Sequence, residues 1–155
     1  MLAPYFAYGS NMCREQMAKR CPGATPLGRA ILMHHRFIIT ADGHASIVED
    51  RGARVVGVLW RITTAHARTL DGYEGVESGW YRREALSVRY GSGQRVAFGY
   101  IGRTTEPGRS KPGYLDAIVL PAARDWKLPD PYVRELETWL RAGQGGFRAP
   151  GLKGA

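Results

Sequence analysis

Apolar positions along the chain change their period repeatedly, and the changes mark out its elements. Residues 5–8 form a short aromatic and apolar run between Pro4 and the polar Gly9-Ser10-Asn11 step, the pattern of a buried strand entering a turn. Residues 11–20 read as a helix, with Ser10 or Asn11 as its cap and Cys21-Pro22-Gly23 as its stop. Residues 28–40 carry two strand-like runs, Ala30 to Met33 and Arg36 to Ile39, equally compatible with one long bent strand; Asp42-Gly43 then marks a turn. A short strand is expected at 46–49. A longer one is expected at 54–62, where Gly57 reads as a bend or bulge. Thr63-Thr64 caps a short helix through Leu70, and 71–79 reads as a loop rich in glycine and acid.

Residues 80–90 and 95–101 pair across Gly91-Ser92-Gly93 as a hairpin. Residues 102–113 form a long polar loop, of the kind that serves as a lid or binding loop. Residues 114–126 are helical, with a kink or split at Pro121. Asp130-Pro131 opens a last helix, with Asp130 as cap. Its Tyr132, Val133, Leu136, Trp139 and Leu140 repeat at helical spacing and face the core. From Gly143 the chain becomes a basic, glycine-rich tail, expected to be flexible. Hairpins first and helices gathered late make the fold class α+β, with mixed, mostly antiparallel pairing. The chain is read as one domain over 1–142 followed by the tail 143–155.

Composition narrows this little. The 155 residues are 44% hydrophobic and 23% charged, ordinary for a globular chain. No apolar run is long enough to span a membrane as a helix, and residues 1–4 lack the features of a signal peptide, so no membrane partner and a cytoplasmic location are expected. The net charge of +8 is spread along the chain without a like-charge block or an RNA-binding aromatic motif. It reads as a solvated basic surface that favours small anions rather than as a nucleic-acid site. Trp126 and Trp139 are candidates either for the core or for a homodimer contact.

No phosphate-binding loop with its lysine, no GxSxG elbow and no HExxH are present. Cys13 and Cys21 form no metal-ligand cluster and read as reduced thiols. His34 and His35 alternate across a strand and cannot readily share a metal. With His44 and His66 they read as structural or surface residues. Two places remain. A strand ending at Gly9 and opening a helix would aim backbone N–H groups at one spot, polarised by the helix terminus and suited to a carboxylate or phosphate. Glu74 lies between Tyr73 and Gly75, ahead of Gly79-Trp80-Tyr81. Dehydration among those neighbours would raise its pKa, while a solvated loop glutamate is the alternative.

Taken together, the two places carry a resemblance. Tyr5-Phe6-Ala7-Tyr8-Gly9-Ser10-Asn11 resembles the first signature of the γ-glutamylcyclotransferase (AIG2-like) family, YFAYGSN. Leu70-Asp71-Gly72-Tyr73-Glu74-Gly75-Val76-Glu77-Ser78-Gly79-Trp80-Tyr81 resembles its second, LDxxEGVxSGxY. Tyr114 is placed like a substrate-contacting tyrosine of the family. The resemblance implies a compact mixed barrel with flanking short helices. It also implies cyclisation of a γ-glutamyl group to 5-oxoproline with release of the attached amine, without metal, cofactor or covalent enzyme intermediate. By the motif positions, Glu74 is the acid/base, Tyr5 to Asn11 receive the substrate, and Tyr81 and Tyr114 line the pocket. Trp80 and the 102–113 loop are expected on the leaving-group side. The other reading is a non-catalytic module that binds a small γ-glutamyl ligand or anion on the same fold.

The implied chemistry makes one physical demand. The substrate's own α-amine is the nucleophile, so a well-folded bound substrate supplies roughly 7–11 kcal/mol of the barrier. An ordinary glutamate, pKa about 4.3, is a poor base for an amine near about 8, a mismatch of roughly 5 kcal/mol. Burial that lifts Glu74 toward about 6–7 removes more than half of that mismatch. Glu74 is therefore expected to be poorly solvated, with the N–H groups of Gly9 and Ser10 available to an anionic oxygen.

Overall fold

The computed structural model describes residues 2–141. The tail assigned to 143–155 lies outside the described residues. Five strands close into a barrel: β1 (Tyr5–Ala7), β2 (Thr25–Ile39), β3 (Ala45–Arg61), β4 (Tyr81–Tyr90) and β5 (Gly93–Gly102), in the order β1-β3-β2-β4-β5. Every pairing is antiparallel except β1 with β5. Closure leaves no open sheet edge, and β1, short as it is, is held on both sides. Among the described residues four α-helices flank the barrel: α1 (Arg14–Arg20), α2 (Thr64–Glu74), α3 (Leu120–Asp125) and α4 (Asp130–Thr138). Among the described residues no helix is long and apolar enough to cross a membrane.

Several elements differ from the sequence reading. The strands expected at 46–49 and 54–62 are one continuous β3, paired with a continuous bent β2. The bend lies on β2, where the register shifts between Pro26 and Gly28 and between Met33 and His35, with His34 at φ 62°. Gly57 is in regular register opposite Ala30. It is a glycine because β1 crosses it: a Cβ there would sit 2.4 Å from the Ala7 carbonyl oxygen and 2.9 Å from the Phe6 ring.

The helix expected directly after the Gly9 turn is interrupted. Ser10–Met12 is a single 3-10 turn, Cys13 is extended, and α1 begins only at Arg14; neither Ser10 nor Asn11 caps a helix with its side chain. At the end of the chain, Pro129 rather than Asp130 holds the cap position of α4. Trp139 is buried with Tyr132, Val133 and Leu136, but Leu140 is exposed. Trp126 packs edge-on against Trp60 and donates to the Met12 carbonyl at 2.7 Å, so both tryptophans serve packing within the chain. Pro121 splits its helix as expected. The split takes the form of a π-turn at Leu115–Val119 that runs into α3 without needing the missing proline N–H.

The segment 71–79 is only partly a loop. Helix α2 runs on to Glu74 and is stopped by Gly75 in the left-handed conformation, whose N–H bonds back to Asp71 and Gly72. Its start is a capping box: Thr63 accepts from the His66 N–H while the His66 ring accepts from Thr63, which gives His66 its structural role.

Candidate active site

Strand β1 and the C-terminal end of α2 meet at one mouth of the barrel. The Asp71 carboxylate holds that meeting. It accepts from Arg83 Nε and Nη2, each at 2.7 Å, and from the Tyr100 hydroxyl at 2.7 Å, which ties α2 to β4 and β5. Two residues of the second sequence motif are therefore structural: Asp71 makes this tie, and the fully buried Leu70 seats the helix.

The mouth holds a cavity of about 220 Å³ lined by Tyr5, Tyr8, Gly9, Ser10, Asn11, Gln16, Arg20, His44, Ala45, Tyr73, Glu74, Tyr81, Tyr100, Tyr114 and Ile118. Of the residues singled out from sequence, Glu74, Tyr5, Tyr8, Gly9, Ser10, Asn11, Tyr81 and Tyr114 come together here. Phe6 and Ala7 do not. Strand alternation turns Phe6 away from Tyr5 into the core, fully buried against Gly57, and Ala7 is buried where β1 pairs with β3, opposite Val58. The cavity also draws on Gln16, Arg20, His44, Ala45 and Tyr100. Two signals could have found some of them. Gln16 and Arg20 are four apart on one face of α1, and Tyr100 shares a strand face with Phe98.

The anion seat is narrower than the sequence suggested. A three-residue turn has almost no macrodipole, so its pull on an anion is limited to the N–H groups at its start, and of these the Ser10 backbone already faces the Tyr114 oxygen. Gly9 has to be a glycine for this approach. A Cβ there would lie 2.9 Å from the Tyr114 hydroxyl and 3.2 Å from the Ala45 Cβ.

Asn11 organises the other end. Arg20 has only protons to offer, so the Asn11 atom facing it at 3.1 Å is the carbonyl oxygen, which also accepts from Gln16 at 2.9 Å. The amide nitrogen is thereby turned to Tyr5, donating to its hydroxyl at 3.0 Å. The guanidinium of Arg20 also lies over the Tyr73 ring, 4.2 Å from its centroid. His44, expected to be structural, stands edge-on to Tyr114 with ring centroids 4.9 Å apart; burial lowers its pKa.

Glu74 is the last residue of α2 and faces the cavity. Burial lifts its pKa from an ordinary 4.5 to about 7, with Arg20 pulling the other way. Its position at a helix C-terminus, the negative end of the helix dipole, also disfavours the ionised form. Among the described residues no group of three metal-ligating side chains occurs. A partly buried carboxyl poised near neutrality, beside a fixed cation, is equipped to move protons while an anionic ligand is held.

Outside the cavity a groove continues between Trp80 and residues 109–112, sharing His44, Tyr73, Glu74 and Tyr81 with it. The long loop forms one wall and is stitched to the β2–β3 turn through Ala41 to Glu106, Gly108 to Ile39 and Lys111 to Gly43 backbone bonds and the Arg103–Asp42 pair.

Comparison with known proteins converges on one family. The family model described as "Gamma-glutamyl cyclotransferase, AIG2-like" matches residues 5–127. The γ-glutamylcyclotransferase of Bos taurus is 30% identical over 145 residues, covering 86% of this chain and 77% of its own length. That of Mus musculus is 29% identical over 144 residues, covering 86% and 76%. A solved γ-glutamyl cyclotransferase superposes with a TM-score of 0.80 at 25% identity, covering 99% of this chain and 92% of its own. YkqA from Bacillus subtilis superposes with a TM-score of 0.77 at 25% identity, covering 90% of this chain but 54% of its own. With both signatures gathered around one cavity and the barrel shared from end to end, the chain belongs to the AIG2-like γ-glutamyl cyclotransferase family.

Proposed function

We propose that this protein converts a γ-glutamyl substrate to 5-oxoproline and releases the attached amine, with Glu74 as the group that carries the protons. The observation that supports it most is the Glu74 carboxyl, lifted to about 7 and lining the same cavity as the Gly9–Ser10 turn. Glu74 first takes a proton from the α-ammonium. The freed nitrogen attacks the γ-carbonyl carbon, the new C–N bond forms, and the carbonyl pair moves to oxygen. Collapse of that adduct breaks the old C–N bond. Over the whole reaction the α-ammonium gives up two of its three protons and the leaving nitrogen gains two, so Glu74 ends as it began. A pKa near 7 leaves a mismatch of roughly one unit with the amine, about 1.4 kcal/mol in place of roughly 5. Arg20 is the fixed cation lining the cavity and suits the α-carboxylate.

The test is a panel of γ-glutamyl dipeptides and γ-glutamyl amines, with 5-oxoproline read by mass spectrometry. If no member yields product, the protein is instead a binding module. In the active case, kcat/KM falls on the acid side with an apparent pKa near 7, because protonated Glu74 cannot accept the amine proton. Since Arg20 holds that pKa down, Arg20→Gln should move the acid limb to higher pH; a limb that moves lower or stays put rejects the assignment to Glu74.

The groove favours one kind of leaving group. Asp42 is already answered by Arg103, whereas no ion pair of Arg109 or Lys111 occurs among the described residues. A leaving amine that bears a carboxylate therefore suits this side better than a cationic one. Lys111→Glu is expected to lower kcat/KM roughly threefold to tenfold for a γ-glutamyl amino acid relative to the matching γ-glutamyl alkylamine, as reversal of an exposed charge allows. The ratio should relax toward one in high salt.

A further inference from the structure

Six tyrosines line the cavity; Tyr73 is exposed beneath Arg20, and Tyr5, Tyr8, Tyr81, Tyr100 and Tyr114 are wholly or partly buried. Each phenol has a single proton to give, so where that proton goes decides what the residue can do. Tyr8 donates to the Tyr100 carbonyl, Tyr81 to the Ala45 carbonyl at 2.7 Å, and Tyr100 to the Asp71 carboxylate at 2.7 Å. Those three protons are committed inside the protein. Tyr5 and Tyr114 are wired the other way: the Tyr5 oxygen accepts from the Asn11 amide at 3.0 Å, at the Arg20 end of the cavity, whereas Tyr114 stands against Gly9 at the turn. The Tyr114 oxygen accepts the Ala45 N–H at 3.2 Å and lies within reach of the Ser10 backbone and hydroxyl. Among the described residues no hydrogen bond donated by the Tyr5 or Tyr114 hydroxyl occurs.

The backbone of Ala45 thus sorts two tyrosines that the sequence placed together. Its carbonyl consumes the Tyr81 proton, and its N–H fills a lone pair of Tyr114 and so turns the Tyr114 proton toward the cavity. Tyr114 is also held rigidly, edge-on to His44 and hard against Gly9. It remains protonated throughout the neutral range, its pKa pushed up to about 12 by burial, so it can donate a hydrogen bond but cannot serve as a base.

We propose that the Tyr114 hydroxyl donates the hydrogen bond that stabilises the γ-carbonyl oxygen as it takes up charge in ring closure, whereas Tyr81 positions Ala45 and gives nothing to the substrate. This rests on the cyclisation proposed above and adds a second catalytic residue to it. The assignment follows from matching charges. The α-carboxylate is charged before and after the reaction and suits Arg20. The carbonyl oxygen is neutral in the bound substrate and anionic in the adduct, so a neutral, pre-oriented donor binds it selectively when the charge appears. No proton changes hands at Tyr114: the oxygen receives the carbonyl electron pair on attack and returns it when the leaving nitrogen departs.

The experiment compares wild type, Tyr114→Phe and Tyr81→Phe on the best γ-glutamyl substrate, with kcat, KM and thermal midpoint measured for each. Loss of one such donor is expected to lower kcat by roughly 10²–10³ with KM within a few-fold. Tyr81→Phe leaves the Ala45 carbonyl unanswered, so its loss should appear chiefly in the thermal midpoint, with a smaller loss of kcat. A Tyr114→Phe kcat within tenfold of wild type, or a Tyr81→Phe loss as large as that of Tyr114→Phe, overturns the assignment alone. A wild-type protein that forms no 5-oxoproline overturns both the assignment and the cyclisation beneath it. Should Tyr114→Phe fail to fold, 3-fluorotyrosine at position 114 keeps the ring and hydroxyl and makes a stronger donor. A changed kcat at unchanged KM then supports the role, and an unchanged kcat rejects it.

Discussion

Glu74→Gln should silence the enzyme and at the same time make it more stable. The substitution keeps the shape of the side chain and removes the proton carrier. General acid–base catalysis is worth roughly 10²–10⁴-fold, and here one residue serves both nitrogens, so kcat should fall toward the upper end of that range. The stability effect has a definite sign. The folded-state pKa of Glu74 is about 7, above its ordinary 4.5, so the folded protein holds this proton more tightly than the unfolded chain does. The favourable contribution of the protonated carboxyl is fully present below pH 4.5 and is lost as pH rises through 7. Above pH 7 the ionised, half-buried group destabilises the fold by about 3 kcal/mol. A permanently neutral glutamine escapes that penalty. Urea melts of the two proteins should coincide near pH 4 and separate in favour of the variant by pH 8. Equal stability at both pH values would show that Glu74 is solvated like an ordinary glutamate, and the proton-carrier role would lose its basis.

Gly57→Ala should produce the largest structural damage of any single methyl group in the barrel. Gly57 lies in regular strand geometry, so alanine is conformationally acceptable there. The obstacle is the Ala7 carbonyl oxygen, 2.4 Å from the new Cβ, with the Phe6 ring at 2.9 Å. A backbone oxygen cannot swing aside as a flexible side-chain end can, so β1 must move off β3. Overpacking of this kind costs about 1–3 kcal/mol, or several degrees of thermal midpoint in a chain of this size. Activity should fall further than stability, because β1 carries Tyr5 into the cavity and Tyr8 and the Gly9–Ser10 turn follow it. Gly52→Ala on the same strand is the control, since its new Cβ meets only an Asp50 carboxylate oxygen at 3.8 Å. If Gly57 were a bend, as its sequence context indicates, both alanines would be tolerated alike.

Gly57 illustrates where the sequence stops being legible. A glycine inside an apolar β-branched run signals something unusual about the backbone, but the crossing strand comes from residues 6 and 7, fifty positions earlier. Local pattern cannot separate a bend from a close approach. The merged β3 strand is a similar case. Glu49 to Ala53 is polar and glycine-containing and looks like a break, yet the long antiparallel pairing with β2 carries the strand across it. Helix α2 misleads in the opposite direction, running past the Leu70 end that its sequence suggests. Gly72 resembles a stop, while the effective stop is Gly75, whose left-handed conformation closes the last turn.

The difference matters at Glu74. Placed in a loop it would be free to seek water. At the end of a helix that Asp71 and Leu70 fix to the barrel, it is held beside the cavity and partly dehydrated. Of the first motif, residues 5 and 8–11 line that cavity, while Phe6 and Ala7 are buried to support the strand.

By itself the sequence determined the strands and hairpin, the late helices, the two motifs and hence the pair of stretches that form the site. These rest on local periodicity, turn chemistry and residue identity, all of which are written along the chain. Tertiary structure alone decided which members of those stretches face the cavity, that Arg20 and His44 join them, and that Glu74 is poised near neutrality. It also decided which tyrosines spend their protons inside the protein. Burial and hydrogen-bond direction depend on what arrives from elsewhere in the chain: Ala45 meets Tyr81 and Tyr114 only because the barrel closes.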